Sequence, residues 1–270
     1  AAILAWGGVA GVAWYAAAFA VSPWIATGVS FLAARDGWSG NVAAGGERAL
    51  ARAVGSLVVA AAGAAALANG PSLALSALAG PDQRPLVAAF LAGLALARVP
   101  LFAFQAVQAG LLPHLVALIG HGRAGDARRL LWRLAGVLVA VATAALPVAA
   151  FAGPPLVSAA FGAGFAMDGR TAVALAFSTG CWLIATALAQ GLVAFNAHGR
   201  AAGAWALGVT IGASLLVLGP SDPIVRVELA MSGGSAVAAL AMAVHVATLR
   251  SGPRAARSPR RRPGSFARRP

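Results

Sequence analysis

Residues 85–112 (PLVAAFLAGLALARVPLFAFQAVQAGLL) form an apolar run of 28 residues that contains a single charge, Arg98, two residues before Pro100. A helix rises about 1.5 Å per residue, so a run of this length crosses the ~30 Å hydrocarbon core of a bilayer with some tilt. A guanidinium does not discharge there. It must face a wet cavity, a partner or an anionic ligand, at a cost of roughly 2.5–3.5 kcal/mol or more if nothing receives it. The run is one of several. Only 10% of residues are charged, against about a quarter in soluble domains, and the chain reads as an all-α, polytopic membrane protein.

Apolar runs between charged or turn-rich punctuation predict seven transmembrane helices, over 3–34, 53–69, 85–112, 130–152, 171–195, 201–219 and 224–249. The first is too long for one straight span, and Ser22-Pro23 marks an expected kink. Two further segments read as irregular: 113–129 as a short interfacial helix, and 153–165 as a re-entrant or surface-lying hairpin too short to span. Sixteen of the twenty arginines fall in 35–52, 113–133, 196–200 and the tail 250–270, against three (Arg84, Arg170, Arg226) in the alternate connections. By the positive-inside rule the C-terminus is cytoplasmic and residue 1 lies outside. Trp132 and Trp205, near cytoplasmic helix starts, are expected as interfacial anchors. The glycine pairs Gly7/Gly11 and Gly208/Gly212 allow close helix packing.

The formal charge of +13 invites a nucleic-acid reading, but eight arginines sit in the tail after residue 249. That Pro-, Ser- and Gly-rich tail reads as disordered, and its expected partner is the anionic inner leaflet, at about 1 kcal/mol per basic residue, not nucleic acid. Cys181 is the only cysteine, so no internal disulfide forms. The chain starts at Ala1 inside an apolar run, with no basic signal region, and an N-terminal portion is expected to be missing.

Gly120-His-Gly-Arg-Ala-Gly125 formally matches G-x-G-x-x-G, but it follows a membrane helix and lacks a βαβ setting. His114, His121, His198 and His245 have no metal-ligand spacing, and no cofactor is expected. The acids are Asp36, Glu47, Asp82, Asp126, Asp168, Asp222 and Glu228, with none in mid-membrane. Glu228, about one turn inside its helix, is read as pairing with Arg226. No catalytic triad or intramembrane carboxylate pair is visible, and the chain is not expected to be an enzyme. Gln105 and Gln108 follow Arg98 by seven and ten positions, near whole helical turns, and share its stripe; Gln190 lies in the fifth span. These four are the candidate substrate-binding residues. The competing reading makes the glutamines interhelical ties and gives Arg98 backbone carbonyls freed at the Pro100 kink.

The stretch 97–118 (ARVPLFAFQAVQAGLLPHLVAL) resembles the polysaccharide and lipid-linked oligosaccharide flippases of the multidrug/oligosaccharidyl-lipid/polysaccharide exporter superfamily, in the form common among actinobacteria. Those carry R-x-P-L/F-x-x-x-Q-x-x-x-x-x-L-L-P here, matched by Arg98, Pro100, Gln105, Leu111, Leu112 and Pro113. A second block, 153–205, is similar in its F-G-x-x-F (Phe161, Gly162, Phe165), its A-x-x-L-A-Q-x-L-x-A (Ala185 to Ala194) and its His198-Gly199-Arg200 turn. The resemblance implies two six-helix lobes. Residues 1–34 then correspond to the last helix of an N-terminal lobe, 35–52 to a cytoplasmic linker, and 53–249 to a six-helix C-terminal lobe. It further implies flipping of a polyprenyl-pyrophosphate-linked sugar from inner to outer leaflet in the cell membrane, with Pro100 as a hinge and a missing N-terminal lobe as partner. The alternatives are a multidrug exporter of the same superfamily, which would want membrane acids for cation coupling, and a membrane enzyme or scaffold, for which Asp168 and Asp222 are the available outer-face acids.

Overall fold

In a computed structural model of the chain, residues 46–249 are described. The chain divides into two units, Ala1–Ala51 and Arg52–Pro270, and the architecture below is that of the described part of the second, with the helical residues that lead into it from Gly46. The helix expected over 3–34, the Gly7/Gly11 pair, most of the 35–52 connection and the 250–270 tail lie outside the described residues.

Among the described residues the architecture is all helical: α1 (Gly46–Leu78), α2 (Arg84–Ala97), α3 (Val99–Gly120), α4 (Ala124–Phe161), α5 (Gly169–Ala194), α6 (His198–Leu218) and α7 (Pro223–Ala247), with short 3-10 turns at Pro81–Gln83 and Ala163–Phe165. Because α2 and α3 follow one course, these make six segments long and apolar enough to cross a membrane. That marks a multi-pass membrane protein. The outward surface agrees: Phe151, Leu218 and Leu73 are 85%, 82% and 72% exposed, as lipid-facing side chains are.

Several expected boundaries are corrected. Helix α1 begins at Gly46, inside the expected linker, and continues through Pro71 to Leu78. Residues 113–129 are no separate interfacial helix: α3 passes through Pro113 to Gly120, and α4 starts at Ala124. Nor do residues 153–165 form a hairpin, because α4 runs through Pro147, Pro154 and Pro155 to Phe161. Its 38 residues give a length of roughly 57 Å, well beyond the bilayer core. In each case a proline was read as an end where its missing N–H is tolerated within the helix.

Local chemistry sets the turns. After α3, Gly122 at φ 76° lets Arg123 N–H reach the Leu118 carbonyl (2.9 Å) and Gly122 N–H that of Ile119 (2.9 Å). After α5, Asn196 at φ 57° does the same, with Ala197 N–H on Leu192 (2.7 Å) and Asn196 N–H on Val193 (2.9 Å). Both are Schellman closures, which need a left-handed residue. The G-x-G-x-x-G match is one such turn. At the opposite end Asp168 caps α5 through Thr171 N–H (2.8 Å), and Asp222 caps α7 through Ile224 and Val225 N–H (2.8 and 3.1 Å).

Helix α7 packs along both α5 and α6, and α4 covers α5. The Gly208/Gly212 pair does bring backbones together: a Cβ on Gly208 would lie 2.7 Å from the Gly234 carbonyl of α7, and one on Gly234 would lie 2.8 Å from Leu67 Cδ2 of α1. Leu67 fills the hollow these glycines leave. Trp205 is no interfacial anchor; it is 2% exposed and tilted against Trp182 at a ring separation of 6.3 Å. Two larger apolar clusters result, one around Leu115, Leu131, Leu188 and Met242, the other around Leu75, Phe90, Leu175 and Val227, with a smaller third around Phe104, Leu183 and Ala187.

Candidate functional site

Arg98 is the single residue between α2 and α3, at φ −87° and ψ −6°. Pro100 has no N–H to offer the Leu96 carbonyl, and Leu101 N–H closes on the Arg98 carbonyl at 2.9 Å, a tighter turn. The break is therefore local and fixes where the guanidinium leaves the helix. One of its N–H groups donates to the Ala68 carbonyl of α1. One turn earlier, Trp182 Nε1 of α5 donates to the Ala64 carbonyl at 3.2 Å. The two acceptors lie on successive turns of α1 ahead of Pro71. The carbonyl that meets Arg98 thus belongs to α1, not to the Pro100 kink.

The guanidinium also lines a cavity of about 210 Å³ where the two apolar clusters meet, walled by Leu67 on one side and Leu94 and Met231 on the other. Its polar lining comes from Arg98, Gln105, Ser178, Thr179, Trp182 and Ser235, and among the described residues no carboxylate lines it. Ser178 returns its hydroxyl to the Leu175 carbonyl at 3.0 Å. The hydroxyls of Thr179 and Ser235 have no side-chain hydrogen bond among the described residues, although the two residues are only 8% and 2% exposed. Arg98 likewise has no ion-pair partner there. A guanidinium carries five N–H donors, and Ala68 takes one. A cavity of about 210 Å³ lined by a guanidinium and hydroxyls holds several waters, at about 30 Å³ each, or an anionic group.

Of the four candidate residues, the fold brings Arg98 and Gln105 together at this cavity, while Gln108 and Gln190 are not in its lining. Thr179, Trp182 and Ser235 were missed. Hydroxyls scattered through Ala- and Gly-rich helices carry no periodic signal; only the pairing of Ser178 with Thr179 in mid-span hinted at them. Pro100 faces the other way, into an apolar groove of about 360 Å³ between α2, α4 and α5 that it shares with Leu138, Val157 and Leu175.

A second polar cluster joins the starts of α5 and α7. Glu228, 5% exposed, accepts from Thr171 Oγ1 at 2.6 Å and pairs with Arg170 Nη2 at 3.2 Å. The expected pair with Arg226 does not form: Arg226 donates to the Pro220 carbonyl at 2.6 Å. Residues two apart on a helix point away from each other, so Glu228 meets a partner from another helix instead. Hydrogen bonding from Thr171, aided by the nearby Arg170 guanidinium, holds the Asp168 carboxyl below its ordinary value. Asp168 and Asp222 are occupied as helix caps. Among the described residues, no three His, Cys, Asp or Glu side chains gather as a metal site requires. No family model matches this chain, and comparison with curated proteins and with solved structures finds no match.

Proposed function

We propose that this chain is part of a membrane transporter that flips polyprenyl-pyrophosphate-linked oligosaccharide or polysaccharide precursors from inner to outer leaflet by alternating access. The observation that carries the reading is a mid-span guanidinium that has no carboxylate partner among the described residues and lines a cavity with the hydroxyls of Thr179 and Ser235. Guanidinium binds phosphate oxygens bidentately, and Thr179, Ser235 and Gln105 add neutral hydrogen-bonding groups around it. The cavity is small for a glycan. Its about 210 Å³ suits the pyrophosphate, and the sugars then occupy space against a second lobe. The break at Arg98-Pro100 is the hinge. The arginine-rich end, with Arg123, Arg128, Arg129 and Arg200, faces the cytoplasm, and the tail lies on its anionic leaflet.

The same observation weighs against the two alternatives. A site for cationic drugs calls for a carboxylate, and none of the described residues lining this cavity is one. A membrane enzyme would use Asp168 or Asp222, and both are engaged in capping. Binding of a polyprenyl-pyrophosphate sugar to the chain in nanodiscs tests the proposal. Arg98→Ala is expected to weaken binding at least about tenfold, or 1.4 kcal/mol, with helix content and melting unchanged. Equal binding by the well-folded variant overturns it.

A further inference from the structure

Glu228 is the sixth residue of α7, and its carboxylate sits between α5 and α7 with one cation on it. Arg170 Nη2 is 3.2 Å from Oε2, while Arg170 Nε is 3.9 Å from Asp168 Oδ2. A single guanidinium, 57% exposed, therefore stands between a buried carboxylate and an exposed one. On the Glu228 helix, Asp222 caps the first turn and Arg226 holds the Pro220 carbonyl. In the adjoining apolar cluster lie Leu75 from α1, Phe90 from α2 and Leu216 from α6. Beside the pair, a cavity of about 470 Å³ is lined by Asp168, Arg170, Thr171 and Asp222 and opens a route for water.

Burial favours the neutral form of a carboxyl group, and a neighbouring guanidinium favours the charged form. When the guanidinium is half in water and has a second carboxylate within reach, the two states lie close together. We propose that Glu228 is a proton-binding site whose protonation passes Arg170 from Glu228 to Asp168. The proton adds to Oε2 from water in the adjoining cavity, and no other reactant is needed. Thr171 keeps its hydrogen bond to Oε1. Asp168, held ionised by Thr171 and Arg170, is ready to take the guanidinium. The α5–α7 contact then loses the one ion pair that joins the two helices among the described residues. This site stands apart from the Arg98 cavity and does not depend on the transport reading.

Infrared difference spectra of the full chain in nanodiscs, taken between about pH 8 and about pH 4, read the protonated carboxyl directly. The expected result is a carboxylic-acid band that is absent from Glu228→Gln. Its midpoint moves up by about one pH unit or more, tenfold in proton affinity, in Arg170→Gln, and moves down in Asp168→Asn, which removes the alternative partner. A pair that is only structural stays ionised throughout. No Glu228-dependent band, or a midpoint unmoved in Arg170→Gln, overturns the proposal. Should Glu228→Gln not fold, the Arg170→Gln shift decides alone, because Arg170 is half-exposed and a glutamine amide is tolerated in its place.

Discussion

Arg98 and Glu228 are charges within the apolar helices that the fold draws inward, and it treats them in opposite ways. Glu228 is 5% exposed and is met by a hydroxyl and a guanidinium from a neighbouring helix. Among the described residues Arg98 is given one backbone carbonyl and a cavity that it shares with the hydroxyls of Thr179 and Ser235. A charge that is paired inside the protein holds helices together, and its chemistry is gain or loss of that pair. A charge left unpaired at mid-span is costly unless something outside the chain completes it. The contrast separates a latch from a binding site.

Substitutions break or sharpen that contrast. Arg98→Ala carries the largest expected effect. Loss of a charge-assisted contact to phosphate is worth about 2–3 kcal/mol, near a hundredfold in binding, and is measured by titrating a pyrophosphate lipid into nanodiscs. Arg98→Lys keeps the charge but not the bidentate fork and falls between. Thr171→Val reverses the pattern: it leaves a buried carboxylate oxygen without its donor, at about 1–3 kcal/mol of stability in a detergent unfolding titration, with phosphate binding intact. Pro100→Ala is smaller. It returns an N–H to the Leu96 carbonyl and stabilises by about 1 kcal/mol, while the straighter helix turns Arg98 from its cavity and binding falls. Smallest is Asp168. Because its carboxyl is depressed in the folded state, its contribution is present above the unfolded pKa and is lost as pH falls through the folded value. Asp168→Asn therefore flattens the acid limb of a melting-temperature-versus-pH curve.

Much of this was legible in the sequence. Six spans followed from apolar run length, and Arg98 with Gln105 followed from a seven-residue spacing that puts both on one stripe. What was not legible has physical causes. Pro113, Pro154 and Pro155 read as helix ends because in water a missing N–H ends a helix. Neighbouring helices relax that rule in a membrane bundle, so α3 and α4 run on. Arg226 read as the partner of Glu228 because it is near in sequence, yet the partners that form are 57 and 58 positions away, on α5. Trp205 read as an anchor by its position near a helix start, but the glycine-lined approach of α6 to its neighbours buries it. Contacts between distant helices are set by small residues, and in a chain with 33 glycines their pattern does not single out which faces meet.

The account rests on water and charge in the Arg98 cavity, and one measurement addresses both. In a Cys181→Ala background, Ser235→Cys places a thiol at a position that is 2% exposed yet lines the cavity. A hydrated, cationic cavity predicts that this thiol reacts with small methanethiosulfonate reagents and faster with an anionic one than a cationic one, and that Arg98→Ala abolishes the preference. No reaction at all, or a charge preference that is the same with and without Arg98, contradicts it.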